Sequence, residues 1–216
     1  MKFLEYVKRL ICPPSCACCK KILDISDNSV FCNECYEELA KRVMDVAGEN
    51  KSQYIERSYF YYRYKNWYVK NVISHTKYVA NKEFLKFIGK RGKESLKKHN
   101  LLGQLDVVTF TPRRPGLVRL YGFDQAEELA MAISEQTDIP CSKLLKRKGF
   151  SLEQKSLKSS ARSKNVEGKF RCKENLTGKR VLLVDDVVTT GSTVNECAKM
   201  LRQCGAKSVY VWSIAQ

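Results

Sequence analysis

Two acids and a hydroxyl-rich turn are the most chemically suggestive residues in this chain. Val181-Leu182-Leu183-Val184 reads as a short buried strand. Asp185 and Asp186 follow at its carboxyl end, and Thr189-Thr190-Gly191-Ser192-Thr193 leads into a helical pattern over 193–204. Open α/β sheets bind ligands at the carboxyl ends of their strands. Gly191 allows close backbone approach. The amides at a helix start, with the neighbouring hydroxyls, make a cradle for phosphate. Carboxylates beside such a cradle can accept hydrogen bonds from a vicinal diol, so the pattern points to ribose 5-phosphate. Metal and phosphoacceptor sites of other doubly wound folds use a similar pattern, and spacing alone leaves that alternative open. The chain has neither G-x-G-x-x-G nor G-x-x-x-x-G-K-[ST], so dinucleotide and P-loop readings lack support.

The second group is sulfur. Six of the 10 cysteines fall between positions 12 and 35. Cys16 and Cys19 are spaced C-x2-C, and Cys32 and Cys35 repeat that spacing. Two such knuckles supply four thiolates, the usual donor set for structural zinc. A segment this short cannot bury its own core, so metal binding would supply its folding free energy. Cys12 and Cys18 are further candidates for the same ligand set. A four-thiolate site has no open position, and no catalysis is assigned to it.

Alternating strand and helix patterns after residue 100 predict an α/β domain with a parallel sheet. Strands are expected at 105–110, 180–185 and 207–214, with a further one near 140–146. Helices are expected at 124–137, capped by Asp124, and at 193–204, stopped by Gly205. Upstream, 36–47 reads as a helix, 54–68 as an aromatic-rich strand and 69–98 as basic helices broken near Asn81. Residues 147–170 read as a long basic loop. The polar stretch 48–53 separates a Cys-knuckle module (1–50) from the main domain (51–216).

The formal net charge is +16. Residues 57–99 hold 12 basic and 2 acidic groups, and residues 143–173 hold 11 and 2. An excess so concentrated suggests an anionic partner, either a polyphosphorylated small molecule or nucleic acid. The aromatics interleaved with cations at 57–78 fit either a packed core or stacking platforms for single-stranded DNA. His75 and His99 read as surface residues. There is no apolar run long enough to span a bilayer and no secretory-type start, so membrane insertion is not expected and a cytoplasmic location is.

Residues 181–193 resemble the signature of type I phosphoribosyltransferases, which bind 5-phosphoribosyl-1-pyrophosphate (PRPP) on a doubly wound parallel sheet. The likeness extends to the ComF/GntX-like branch, the family of the competence protein ComFC. It comprises Pro13-Pro14-Ser15-Cys16 to Cys19 with Cys32 to Cys35, Lys77-Tyr78, Val108 to Pro112, Tyr121-Gly122-Phe123-Asp124-Gln125, Gln154, Arg162, Asn165-Val166 and Phe170. These run in order along nearly the whole chain. Tyr121 and Asp124 depart from the Arg and Asn usual in that branch, which weakens a direct anion-binding role for that box.

The resemblance implies an α/β doubly wound sheet carrying a small zinc-ribbon-like module at its N-terminal end. It implies that Asp185 and Asp186 hold the ribose hydroxyls and the magnesium shell, and that Thr189, Thr190, Gly191, Ser192 and Thr193 wrap the 5-phosphate. Thr111, Pro112 and Arg113 would form the pyrophosphate loop. Lys155, Lys158 and Arg162 would lie on the loop that closes over PRPP. Zn2+ would be structural, held by Cys16, Cys19, Cys32 and Cys35, and Mg2+ would accompany PRPP. The implied role is in DNA uptake, with single-stranded DNA and other uptake proteins as partners. The alternative is active phosphoribosyl transfer to a nitrogenous acceptor that the sequence does not name.

Overall fold

A computed structural model describes residues 7, 9–26, 28–48, 52–78, 82–148, 168–172 and 174–216. Lys155, Lys158, Arg162, Gln154 and Asn165-Val166 lie outside the described residues, as do the side chains of His75, Lys77 and Tyr78. Helix α1 (Asn33–Ala40) precedes strands β1 (Val43–Gly48) and β2 (Arg57–Tyr62). Helices α2 (Trp67–Tyr78) and α3 (Lys82–Lys98) follow, then β3 (Val107–Phe110), α4 (Pro115–Tyr121) and α5 (Gln125–Thr137). The chain continues through β4 (Leu145–Arg147), β5 (Phe170–Cys172), β6 (Arg180–Val187), α6 (Ser192–Gln203) and β7 (Ser208–Ala215).

The main sheet has the order β1-β2-β7-β6-β3, with β4 and β5 forming a separate two-stranded ribbon. Strands β2, β7, β6 and β3 are mutually parallel, and β1 runs antiparallel on the outside. Alternation along β6 shows why both faces must be covered. Leu182 and Val184 pack with Phe110, Leu129 and Trp212 on one face, whereas Val181 and Leu183 pack with Val194, Leu201 and Phe170 on the other. Each of these residues is 2% exposed or less except Val194, at 3%. This is the doubly wound arrangement expected for a parallel sheet. Helix α3 crosses α5 closely: a Cβ on Gly89 would stand 2.3 Å from the Ala132 carbonyl oxygen.

The stretch read as a helix over 36–47 divides instead into α1 and β1. Strand β1 pairs with β2, with a register shift between Val43 and Val46 where Asp45 takes a positive φ of 39°. Buried Asp45 accepts a hydrogen bond from Ser95 Oγ at 2.5 Å, and Lys98 Nζ sits 3.3 Å from its carboxylate. His99 is not the surface residue expected. It is half-buried, its ring 4.5 Å from that of Tyr59 and its Nε2 3.4 Å from Asp45 Oδ1. Strand pairing and this polar tie outweigh the helical pattern of 36–47. Among the described residues, no helix is long and apolar enough to cross a membrane.

Candidate ligand site and metal centre

Strand β6 runs two residues further than expected, so both acids lie on the strand end itself. Thr111 donates its amide to Val184 O at 3.1 Å, extending the β3–β6 pairing by one step and bringing its hydroxyl to the Asp185 carboxylate. Burial pushes Asp185 well above the usual carboxylate range, and the neighbouring Asp186 adds to the shift. Asp185 Oδ1 accepts the Asp186 amide at 2.9 Å, and Asp186 Oδ1 accepts that of Val187 at 2.8 Å.

The turn that follows is pinned at its start by Val188 N donating to Ala215 O at 3.0 Å. Gly191 caps α6 with a φ of 74°, a left-handed conformation that disfavours a side chain. A Cβ there would meet nothing within 4 Å. Thr190 Oγ1 and Ser192 Oγ stand 2.9 Å apart, and Ser192 N donates to Thr190 Oγ1 at 3.4 Å. The turn encloses a pocket of about 40 Å3 with Asp185, Thr189 and Thr193 on its walls. Asp185 and Thr193 also line an adjoining cavity of about 440 Å3 that reaches Asp186, Thr111, Pro112 and Arg113. The structure thus brings together the two acids, the five turn residues and the three loop residues singled out from the sequence.

Two features of that larger cavity were not legible in the sequence. Arg113 lays its guanidinium 4.7 Å over the Tyr121 ring, and its Nη1 is buried without a hydrogen-bond partner. Arg147 also lines the cavity, donating to Pro112 O at 3.4 Å and stacking 5.2 Å from Phe170. Burial holds Arg147 below the usual guanidinium range, and the nearby Arg114 cation works in the same direction. Two arginines on one cavity wall, one of them with a buried guanidinium nitrogen that has no acceptor, suit a polyanion. The signal that could have singled out Arg147 was the Lys146-Arg147-Lys148 run at the head of a basic segment.

The departures at 121 and 124 have local uses. Tyr121 is the platform for Arg113. Asp124 caps α5, accepting Ala126 N at 3.2 Å through Oδ1 and Arg113 N at 2.8 Å through Oδ2. Burial raises its pKa despite these donors. Asn caps helices as well as Asp does. Here, however, Asn keeps one oxygen for the Ala126 amide and turns its NH2 toward the Arg113 amide, so Asp124→Asn is expected to cost about 1 kcal/mol and Asp124→Ala about 2 kcal/mol, read as urea midpoints. Equal losses in both variants would show that the carboxylate charge, not the cap, matters there.

At the other end of the chain, the sulfurs of Cys16, Cys19, Cys32 and Cys35 all lie within 4.8 Å of one another. Cys19 and Cys32 Sγ are 3.8 Å apart. Tetrahedral zinc–thiolate bonds of about 2.3 Å require sulfur separations of about 3.8 Å, so the donor set fits such an ion. A tight hairpin builds the first knuckle: Ser15 bridges Ile22, Cys16 N donates to Lys21 O at 2.8 Å, and Lys20 takes a φ of 67°. Cys32 sits at the start of α1 and so aims the second pair. Burial opposes ionisation of Cys16, but the amides of Cys19, Cys32 and Cys18 prevail and lower it to about 7. Burial, then the Cys32 and Cys19 thiols, raises Cys35. Cys12 and Cys18 stand outside the group; Cys18 Sγ donates instead to Tyr68 O at 3.6 Å.

Comparison with known proteins agrees with this architecture. Residues 124–215 match the phosphoribosyl transferase domain. The chain is 37% identical over 99 residues to competence protein F of Haemophilus influenzae, covering 44% of this chain and 43% of that one. It is 33% identical over 143 residues to competence protein ComFC of Streptococcus pneumoniae, covering 64% and 57%. The DNA utilization protein YhgH of Escherichia coli K12 is 35% identical over 99 residues, covering 44% and 42%. The matched part thus spans about half the length of these relatives. Among solved structures, the allosteric regulatory enzyme of purine biosynthesis aligns at 23% identity with a TM-score of 0.44, covering 65% of this chain and 30% of that one.

Proposed function

We propose that this chain, a ComF-like protein carrying a type I phosphoribosyltransferase domain, binds PRPP with magnesium and acts in DNA uptake, contacting single-stranded DNA through its basic segments. The observation that carries the PRPP reading is that Asp185 and Asp186 share one cavity with Thr111, Arg113 and Arg147, beside the 189–193 turn. In this reading the turn 189–193 holds the 5-phosphate by its amides and hydroxyls. Asp185 and Asp186 accept the ribose hydroxyls and orient the hydrated metal. Arg113 and Arg147 meet the pyrophosphate, with Tyr121 keeping Arg113 in place. Magnesium supplies neutralisation of pyrophosphate charge. Zinc at the four cysteines completes the cofactor set.

The DNA-uptake role rests on the competence and DNA-utilization relatives and on the basic segments; a cytoplasmic location and contacts with other uptake proteins belong to the same reading. Transfer to a nitrogenous acceptor is the second reading, and it rests on the phosphoribosyl transferase domain match alone.

The test is calorimetric titration of the full chain with PRPP and magnesium. Saturable binding that requires the metal is expected, and indifference to PRPP would remove the assignment. Affinity for a dT oligonucleotide should fall steeply with salt. Roughly four phosphate contacts give a log–log slope of about −3. A flat response would remove the DNA role.

A further inference from the structure

The outer flank of the phosphate turn carries two neighbouring cavities of about 430 and 410 Å3. They share Phe60, Val188, Thr189 and Gln216 as a common wall. Val188 and Thr189 also bound the small pocket inside the turn. Met44, Tyr62 and Tyr64 form the apolar side of the first cavity, and Arg63 and Lys65 are exposed at its rim. The rim is fixed by main-chain bonds: Gln216 N donates to Tyr62 O at 3.2 Å, and Tyr64 N to Gln216 O at 2.7 Å. Among the described residues, no acidic side chain lines either cavity.

Further aromatic and cationic groups follow Tyr64 along the chain, outside the lining of that cavity. Lys70 Nζ lies 5.9 Å from the Tyr64 ring centroid. The Trp67 indole is 57% exposed and stands edge-on to Tyr68 at 4.9 Å. Arg42 lies 4.8 Å over Tyr68 and is also paired with Glu38 at 2.5 Å. Flat apolar faces alternating with cations match a chain of bases joined by phosphates. A free small molecule would be satisfied by the cavity alone; the run over Tyr64, Trp67 and Tyr68 extends past it, as a polymer requires.

We infer that single-stranded DNA runs over Trp67, Tyr68 and Tyr64 and lodges one base in the cavity behind Thr189, so that strand and sugar phosphate share one wall. This rests on the DNA-uptake reading above and gives it a location. Of the aromatics at 57–78, Tyr59, Phe60, Tyr61 and Tyr62 are buried and serve packing. Among the described residues, Trp67 is exposed, and Tyr64 and Tyr68 are half-buried with part of each ring against the core, which leaves these three to meet bases.

The chain has two tryptophans, and Trp212 is fully buried, so quenching of accessible indole emission reports Trp67. Titration of the full chain with dT oligonucleotide should quench that emission. Trp67→Ala and Tyr64→Ala should each weaken binding, read by anisotropy, by about tenfold. Trp67→Phe and Tyr64→Phe should restore most of it. Arg63→Glu with Lys65→Glu should flatten the log–log salt slope by about 1.4. Lys86→Glu with Lys90→Glu, on α3, should change affinity by less than about twofold. Binding without indole quenching, or loss in the α3 variant with the aromatic variants unchanged, would overturn this track and leave the DNA reading standing. Absence of any oligonucleotide binding by the unaltered chain would overturn both.

Discussion

Asp185→Asn with Asp186→Asn is expected to weaken PRPP binding by at least about 100-fold, since each carboxylate hydrogen bond lost is worth about 1.5–3 kcal/mol. Magnesium-dependent release of pyrophosphate, if the chain turns PRPP over, should vanish with it. The fold should survive, because burial and Asp186 already make ionised Asp185 unfavourable, and neutral amides relieve that repulsion. The expected melting temperature without ligand is therefore unchanged or higher, while the rise on adding PRPP and magnesium disappears. A double variant that still binds PRPP would show that these acids are not the ribose site.

The second large effect concerns the metal. Metal analysis should give about one zinc per chain. Cys16→Ser with Cys19→Ser, or a strong chelator, should unfold residues 12–40. The apparent binding energy of a structural zinc site, about 10–16 kcal/mol, is comparable to the whole stability of a typical domain. The damage should spread further, since Cys16, Phe31, Cys35 and Leu39 belong to the same packed cluster as Tyr61, Val69 and Phe84. Phe31 stands edge-on to Phe84 at 6.2 Å and to Phe87 at 5.2 Å, coupling the knuckles to α3. Faster proteolysis and hydrogen exchange should thus appear in α2 and α3 as well. Retained metal and protection in the double variant would refute the ligand set.

Local signals marked the parts of the fold that sequence reasoning found. The run 181–184 is apolar on both faces, which only a doubly covered strand requires. Gly191 and Gly205 punctuate α6 at its two ends, and the Cys pairs carry a fixed spacing. What stayed illegible depends on distant partners. Residues 43–47 carry enough helical periodicity to extend α1, and only pairing with β2 and the tie of Asp45 to α3 make them a strand. Helix α4 is seven residues long and buries none of them, leaving Leu117 and Leu120 exposed, so its short apolar pattern has no core to be read against. Arg147 reaches the candidate cavity only because β4 pairs with β5, a ribbon whose strands are separated by more than twenty residues of chain. In the sequence Tyr121 is only the loss of a cation, and its stacking with Arg113 gives the ring its place beside the cavity.

The irregular pairing at Asp45 bears on how this chain behaves among its own copies. An outermost strand with free amides and carbonyls can template the growth of a foreign strand. Here the margin formed by β1 is kinked where Asp45 turns back toward Ser95 and Lys98, so a straight incoming segment meets a broken ladder. A substitution that frees Asp45, such as Asp45→Ala, is expected to straighten that margin and raise self-association, read as light scattering against the unaltered chain.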